Sequence, residues 1–205
     1  MTVLTLPNRP RIASSSFDLG VPKARNQTRG GAHQSVIMGA SLWTAQISTT
    51  HLERALAGEY DWLRAVAEDS DQTIYVYDAK RPFPLHYSAG GGWGNPMIEE
   101  VDYANARIRL SGLVSNAVLA PGDYGHWDDG PARRLHILGG GQASGAGGLW
   151  VNVRPRPPLV ATAALPVPFV MAKASAEMQL LSSSAPMQGF ERTASLTAVQ
   201  VIRTY

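Results

Sequence analysis

Between residues 75 and 155 the sequence is a succession of short runs, each ended by Gly, Pro or Asp: 75–78, 107–112, 119–124, 134–138 and 149–155. Within them apolar and polar residues alternate, with Ile108 and Leu110 between Arg107, Arg109 and Ser111, and Val151 and Val153 beside Asn152 and Arg154. That period of two is the pattern of half-buried strands, and the punctuation is that of tight turns between antiparallel neighbours. The expectation is a mainly β fold, an antiparallel sandwich or barrel. The pattern is one of scaffolding and carries no reaction chemistry.

The rest of the composition fits such a scaffold. With 205 residues, 44% hydrophobic and 17% charged, the chain can bury a core and leaves a surface poor in charge, which suits a protein that covers itself with neighbours. A net charge of +2 is too mild for a nucleic-acid binder. The basic residues Arg9, Arg11, Lys23, Arg25 and Arg29 face only Asp18 in the first 36 residues. Cysteine is absent, which excludes disulfides, thiolate metal sites and a cysteine nucleophile. The apolar stretch 159–171 is broken by Pro166 and Pro168 and is too short to span a bilayer, so no membrane span is expected. Residues 1–7 lack the basic start and long apolar centre of a secretion signal.

Residues 1–35 have little periodicity and read as an extended N-terminal arm, with a short strand near 2–6; residues 36–205 then form a single β domain. One strand is expected over 34–48, with Trp43 in the core or at a subunit contact. A helix is expected over 50–69, because Thr50 and Glu53 have capping-box spacing and Leu52, Ala55, Leu56, Tyr60, Leu63 and Val66 form one stripe. Gly58 weakens that helix and could mark a close contact. Further strands are read at 73–77, 176–181 and 194–205, with no internal repeat.

Candidate chemistry is thin. The glycine-rich run 139–148 follows a strand, but a phosphate-binding loop needs a helix after it, and 149–153 reads as a strand; a flexible hairpin tip is the expectation. Asp123, His126, Asp128 and Asp129 crowd together without the regular spacing of a calcium loop, and Asp123 and Asp128 read as turn caps. The histidines 33, 51, 86, 126 and 136 lack metal-ligand spacing, and no Gly-x-Ser-x-Gly elbow points to a nucleophile. Arg154 to Leu159 contains a PxxP spacing that reads as a surface run. No catalytic, metal or cofactor residue is therefore assigned, and the chain is read as a non-enzyme. Tyr87, Trp93, Tyr103 and Trp127 lie near turns, where a glycan-binding module places its rings, and they carry the alternative reading of a peripheral receptor- or glycan-binding module.

Taken in order, Trp43-Thr44-Ala45-Gln46-Ile47-Ser48 before the helix, 75–84 after it, Leu110-Ser111-Gly112, Leu119-Ala120-Pro121-Gly122-Asp123-Tyr124, Arg134-Leu135-His136-Ile137, Val151-Asn152-Val153-Arg154-Pro155 and Met178-Gln179-Leu180 form a recognisable series. Through them, residues 35–185 resemble the distal-tail and tail-tube-like proteins at the tail tip of tailed bacteriophages and prophages. The resemblance implies a virion structural protein made in the host cytoplasm. It also implies a homo-oligomeric ring, commonly a hexamer, linking the tail tube to the hub or fibres, with DNA or a tape-measure protein passing through its channel. The helix would pack on the outside, and the arm would reach neighbouring subunits.

Overall fold

The computed structural model of the protein describes residues 3–5, 12–27, 33–37, 39–50, 52, 54–67, 72–87, 91–130, 132–142, 148–155, 164–184, 187–188, 191–192 and 194–201. In chain order the first elements are β1 (Val3–Thr5), β2 (Ile12–Gly20), β3 (Lys23–Gln27), β4 (His33–Ile37), β5 (Leu42–Thr49), α1 (Arg54–Ala67) and β6 (Thr73–Tyr77). The middle comprises β7 (Gly94–Asp102), β8 (Arg107–Leu113), β9 (Val118–Leu119), β10 (Tyr124–Asp129), β11 (Ala132–Leu138), β12 (Gly141–Gln142), β13 (Leu149–Arg154) and β14 (Val167–Pro168). The last are β15 (Ser175–Ser184), β16 (Met187–Gln188), β17 (Glu191–Arg192) and β18 (Ser195–Gln200). The fold is mainly β, with one helix among the described residues.

Two six-stranded sheets dominate. The first has the order β1-β6-β15-β18-β5-β2 and is antiparallel except for the parallel pair β1 and β6. The second has the order β10-β11-β13-β8-β7-β14 and is antiparallel throughout. Its two ends nearly meet: His126 in β10 and Val170 after β14 exchange backbone hydrogen bonds of 2.9 and 2.8 Å, so this sheet curls into a barrel. Closure removes the exposed edges that an open sheet must manage. In sequence the barrel is an insertion between β6 and β15 of the first sheet.

The alternation read from the sequence sorts residues between barrel interior and exterior. Ile108, Leu110, Val151 and Val153 are fully buried, whereas Arg107, Arg109, Trp150 and Asn152 point outward. Phe169 fills the interior by lying against Gly125, where an added Cβ would collide with the ring.

The β10–β11 ribbon is a wall shared by two cores. One face places Trp127 and Leu138 in the barrel; the other turns Tyr124 and Leu135 toward the first sheet. There Phe17, Trp43 and Tyr124 form an aromatic cluster with ring centroids 5.1–5.8 Å apart, and Trp43 Nε1–H donates to the Leu135 carbonyl at 3.1 Å. To the same core α1 contributes Ala57, Tyr60 and Leu63, with Leu52 just ahead of it.

Four expectations change. The extended arm of residues 1–35 includes strand β2, which runs the length of β5 from Ile12↔Thr49 to Gly20↔Leu42 and buries Phe17 in its own core; β1 pairs with β6. The boundary at residue 35 therefore does not separate an arm from a domain. The strand expected over 34–48 is two strands, β4 and β5. The helix is described over Arg54–Ala67, with Thr50 and Leu52 ahead of it and not helical, which leaves Thr50 out of capping register; residues 68–69 of the expected helix lie outside the described residues. Gly58 makes no close contact among the described residues, since a Cβ there would meet none of them within 4 Å.

Candidate assembly surface

The first sheet buries one face throughout and the other only over β6 and the start of β15, where Thr73, Tyr77, Ser175 and Glu177 are buried; over β2 and β5 that second face is open. On this second face, Ser16 stands opposite Gln46, Asp18 opposite Thr44, and Thr197 opposite Gln46 on its second side. Ser14, Ser16, Asp18, Thr44, Gln46 and Gln179 on this face are exposed. None of the six strands of this sheet contains a lysine or an arginine, and Asp18 and Glu177 are their only acids. Glu177 is buried and accepts a 2.7 Å hydrogen bond from the Thr73 hydroxyl. What remains exposed is a hydroxyl- and amide-rich plane of low charge.

The edge of this sheet is equally distinctive. β2 is nine residues long, contains neither lysine nor proline, carries one acid in Asp18, and among the described residues pairs with a strand on one side only, while the Lys80 ammonium donates to its Ser15 carbonyl at 3.1 Å. Natural edge strands are usually short, charged or interrupted, since an open ladder of N–H and C=O groups recruits another strand. Beyond β2 the chain continues into the β3–β4 ribbon, which among the described residues pairs only with itself, in five registers from Lys23↔Ile37 to Gln27↔His33. A lone two-stranded ribbon is marginal in water, so a covering surface stabilises it.

The acidic and histidine residues singled out in the sequence are spent on internal bonds. Asp123 accepts from the backbone N–H of Leu85 at 2.9 Å and of Ala120 at 2.7 Å, as a turn organiser does. Asp128 is not a turn cap: it takes a two-pronged bond from Arg133 at 2.8 and 3.0 Å across the β10–β11 ladder. Arg133 reaches on to Ser175 Oγ at 3.1 Å and lies 3.8 Å over the Tyr75 ring, tying the barrel wall to the first sheet. Asp129 is buried against Arg134, 3.6 Å away.

The two histidines of the ribbon lie back to back. His126 faces the first sheet, and its Nδ1 accepts the Ser175 N–H at 3.2 Å. His136 faces the barrel, stacked on Trp127 at 4.5 Å, with Nδ1 donating to the Pro155 carbonyl at 3.0 Å. Burial pushes both imidazoles down to about 4; Arg133 adds to this for His126, and Arg134 for His136 against the opposing Pro155 bond. Both are therefore neutral packing residues at neutral pH. His86 is exposed, and His51 lies outside the described residues; His33 opens β4.

The glycine-rich run is only partly a hairpin tip. Gly141 and Gln142 pair with β9, and Gly140, at φ +81°, leaves no room for a Cβ against Pro121 and the Leu119 carbonyl. Residues 143–147 lie outside the described residues, and the strand expected after the run is β13. Of the PxxP stretch, 156–159 lie outside the described residues. The aromatic residues proposed to stack on sugars are mostly interior: Trp93 and Trp127 are buried in the barrel core, and Tyr87 packs edge-on against Trp93 at 5.5 Å. Only Tyr103 retains partial exposure without such a contact. The polar face and the edge strand were missed as a surface, although the absence of lysine and arginine from these segments was there to be read. No protein-family model matches the sequence, and no curated protein matches it.

Proposed function

We propose that this protein is a structural component of a bacteriophage tail, a distal-tail or tail-tip ring protein without catalytic activity. Copies join edge to edge through β2, and the hydroxyl- and amide-rich face of the first sheet turns toward the channel. The observation that carries this reading is the pairing of a nine-residue edge strand that has no strand on its outer side among the described residues with a sheet whose strands contain no lysine or arginine. A wall of that kind lets a polyanion pass, because no cation on it exchanges for the counterions of DNA. Helix α1, which contributes to the core of the first sheet, on this reading lies outside the channel, and the β3–β4 ribbon, next to β2 in sequence, reaches a neighbour. In this reading the tube, hub and fibre proteins of the tail are the partners, and the order of sequence elements described above supplies the family.

The test is to size and image the full chain and the particle that carries it. A ring with a central channel is expected, and Ser16→Lys, which charges the outer edge strand, should convert it to monomers with an unchanged melting temperature. A stable monomer with no ring in the particle would end this reading.

A further inference from the structure

We infer that the outer wall of the barrel carries a binding site for a neutral oligosaccharide, built around Trp150, a function beyond the ring itself. Of the five tryptophans, Trp43, Trp93 and Trp127 are buried in the two cores. Trp150 stands instead on the outer side of β13, 37% exposed, although Val151 beside it is fully buried. An indole held on a rigid strand is a flat apolar platform in a defined place, and part of this one is still wet.

Polar groups frame the platform and are already held in place. The Arg107 guanidinium lies 4.7 Å over the indole, and its Nε donates to Asp102 at 2.7 Å. Asp102 also accepts from the Asn105 side-chain amide at 2.8 Å and backbone N–H at 3.1 Å, and the Asn105 and Arg107 bonds hold its carboxyl down at about 2. Asn152 stands opposite Arg107 in the ladder, on the same side of β13 as Trp150. Gly139 donates its N–H to the Asn152 carbonyl at 2.7 Å and lays no side chain beside it; a Cβ there would come to 3.0 Å from the Asn152 Cβ. Among the described residues neither the Asn152 amide nor the two amino groups of Arg107 have a partner. Preorganisation of this kind lowers the ordering cost of binding.

Charge and hydrogen bonding give the chemistry of the occupant. On this wall Arg107 and Arg109 stand among three carboxylates, Asp102, Glu99 and Glu100, so a polyanion such as a nucleic acid or a sulfated glycan is disfavoured. A cationic ligand is disfavoured too, because Arg107 already supplies the cation over the ring. What the site offers is an uncommitted set of donors and acceptors beside an apolar plane: the Arg107 amino groups donate, and the Asn152 amide both donates and accepts. A pyranose has the same two aspects, with C–H groups on a ring face and hydroxyls at the edge that donate and accept. Its ring stacks on the part of Trp150 that Arg107 leaves open, and its edge hydroxyls bond Arg107 and Asn152.

The probes are cellotriose, maltotriose and chitotriose, with sialyllactose as an acidic counterpart and oligothymidylate as a nucleic acid, each added to the full-length protein and followed by saturation-transfer difference NMR and calorimetric titration. At least one neutral trisaccharide should bind with a Kd of about 1 mM or below, more tightly than either anion. Trp150→Ala should weaken that binding about tenfold or more. Asn152→Ala, at an exposed position where the melting temperature should not move, should weaken it about threefold or more. Trp62→Ala removes the other exposed indole and should leave binding unchanged. No binding of any neutral trisaccharide, tighter binding of either anion, undiminished binding by Trp150→Ala or Asn152→Ala, or a loss in Trp62→Ala would each overturn the inference. The titration does not depend on ring formation, so its failure leaves the ring reading standing.

Discussion

The two sheets have six strands each and treat their boundaries in opposite ways. The barrel joins its first strand to the segment after its last and carries Arg107, Arg109, Glu99 and Glu100 on its outer wall. The first sheet contains no lysine or arginine in any strand, leaves one face open over β2 and β5, and among the described residues pairs β2 with no strand on its outer side. Strand number is the same, so closure makes the difference. A closed sheet has used its backbone groups and can afford a charged surface; an open one retains them for another chain. The barrel is thus the self-sufficient part, and the sheet is the part built to be completed.

The largest expected effect tests whether the two parts are separable at all. They share the β10–β11 ribbon, and each buries one of its histidines. Both imidazoles are depressed to about 4 from an ordinary 6.5, so the unfolded chain binds protons that the folded one refuses. Stability is therefore complete above pH 6.5, falls as the pH drops toward 4, and loses on the order of 3 kcal/mol per histidine. Near-ultraviolet circular dichroism, which reports Trp43 in the sheet and Trp127 in the barrel, should show one transition for both on titration over this window. His136→Phe should flatten the profile by about half. Two transitions at different pH would show that the ribbon does not couple the cores.

A smaller effect should be confined to the barrel side. Gly125 has an ordinary strand conformation, yet its missing Cβ is where the Phe169 ring lies. Gly125→Ala overpacks a closed interior and should cost about 1–3 kcal/mol in urea unfolding, with partial recovery when Phe169→Leu is added. Thr44→Ala, on the uncovered face of the open sheet, should stay within about 0.5 kcal/mol of the parent. Equal losses at the two positions would mean that the uncovered face is more tightly packed than its exposure implies.

The same contrast explains what could be read from the sequence. β8, β11 and β13 were legible because arginine alternates with isoleucine, leucine and valine on strands with one wet side. β2 was not, because Ser14 to Ser16 hides the alternation and only Phe17 and Leu19 carry it; its pairing depends on β5, many residues away. Barrel closure was hidden too, since Pro166 and Pro168 read as loop while Phe169 and Val170 bond back to Pro96 and His126. Trp93 and Trp127 looked exposed because they stand next to turns, and a barrel turns such positions inward. The turn role of Asp123 was legible from Pro121 and Gly122 beside it, whereas the cross-strand partner of Asp128 required the β10–β11 register.

The smallest effect sharpens the comparison most, because it separates stability from completion. Gly58 lies in the middle of α1 on its exposed side, where a Cβ would touch none of the described residues, and the helix carries Trp62 a turn later with 63% of its surface exposed. None of them requires a glycine there. Gly58→Ala removes backbone freedom from the unfolded state and adds no contact to the folded one, so the subunit should gain about 0.5–1 kcal/mol in chemical denaturation. If the outer side of α1 stays bare in the assembled tail, particle assembly should be unchanged. A variant that is more stable alone but impaired in assembly would place a second uncovered surface on the helix, opposite the channel, and the open sheet would no longer be the sole part of the molecule awaiting a neighbour.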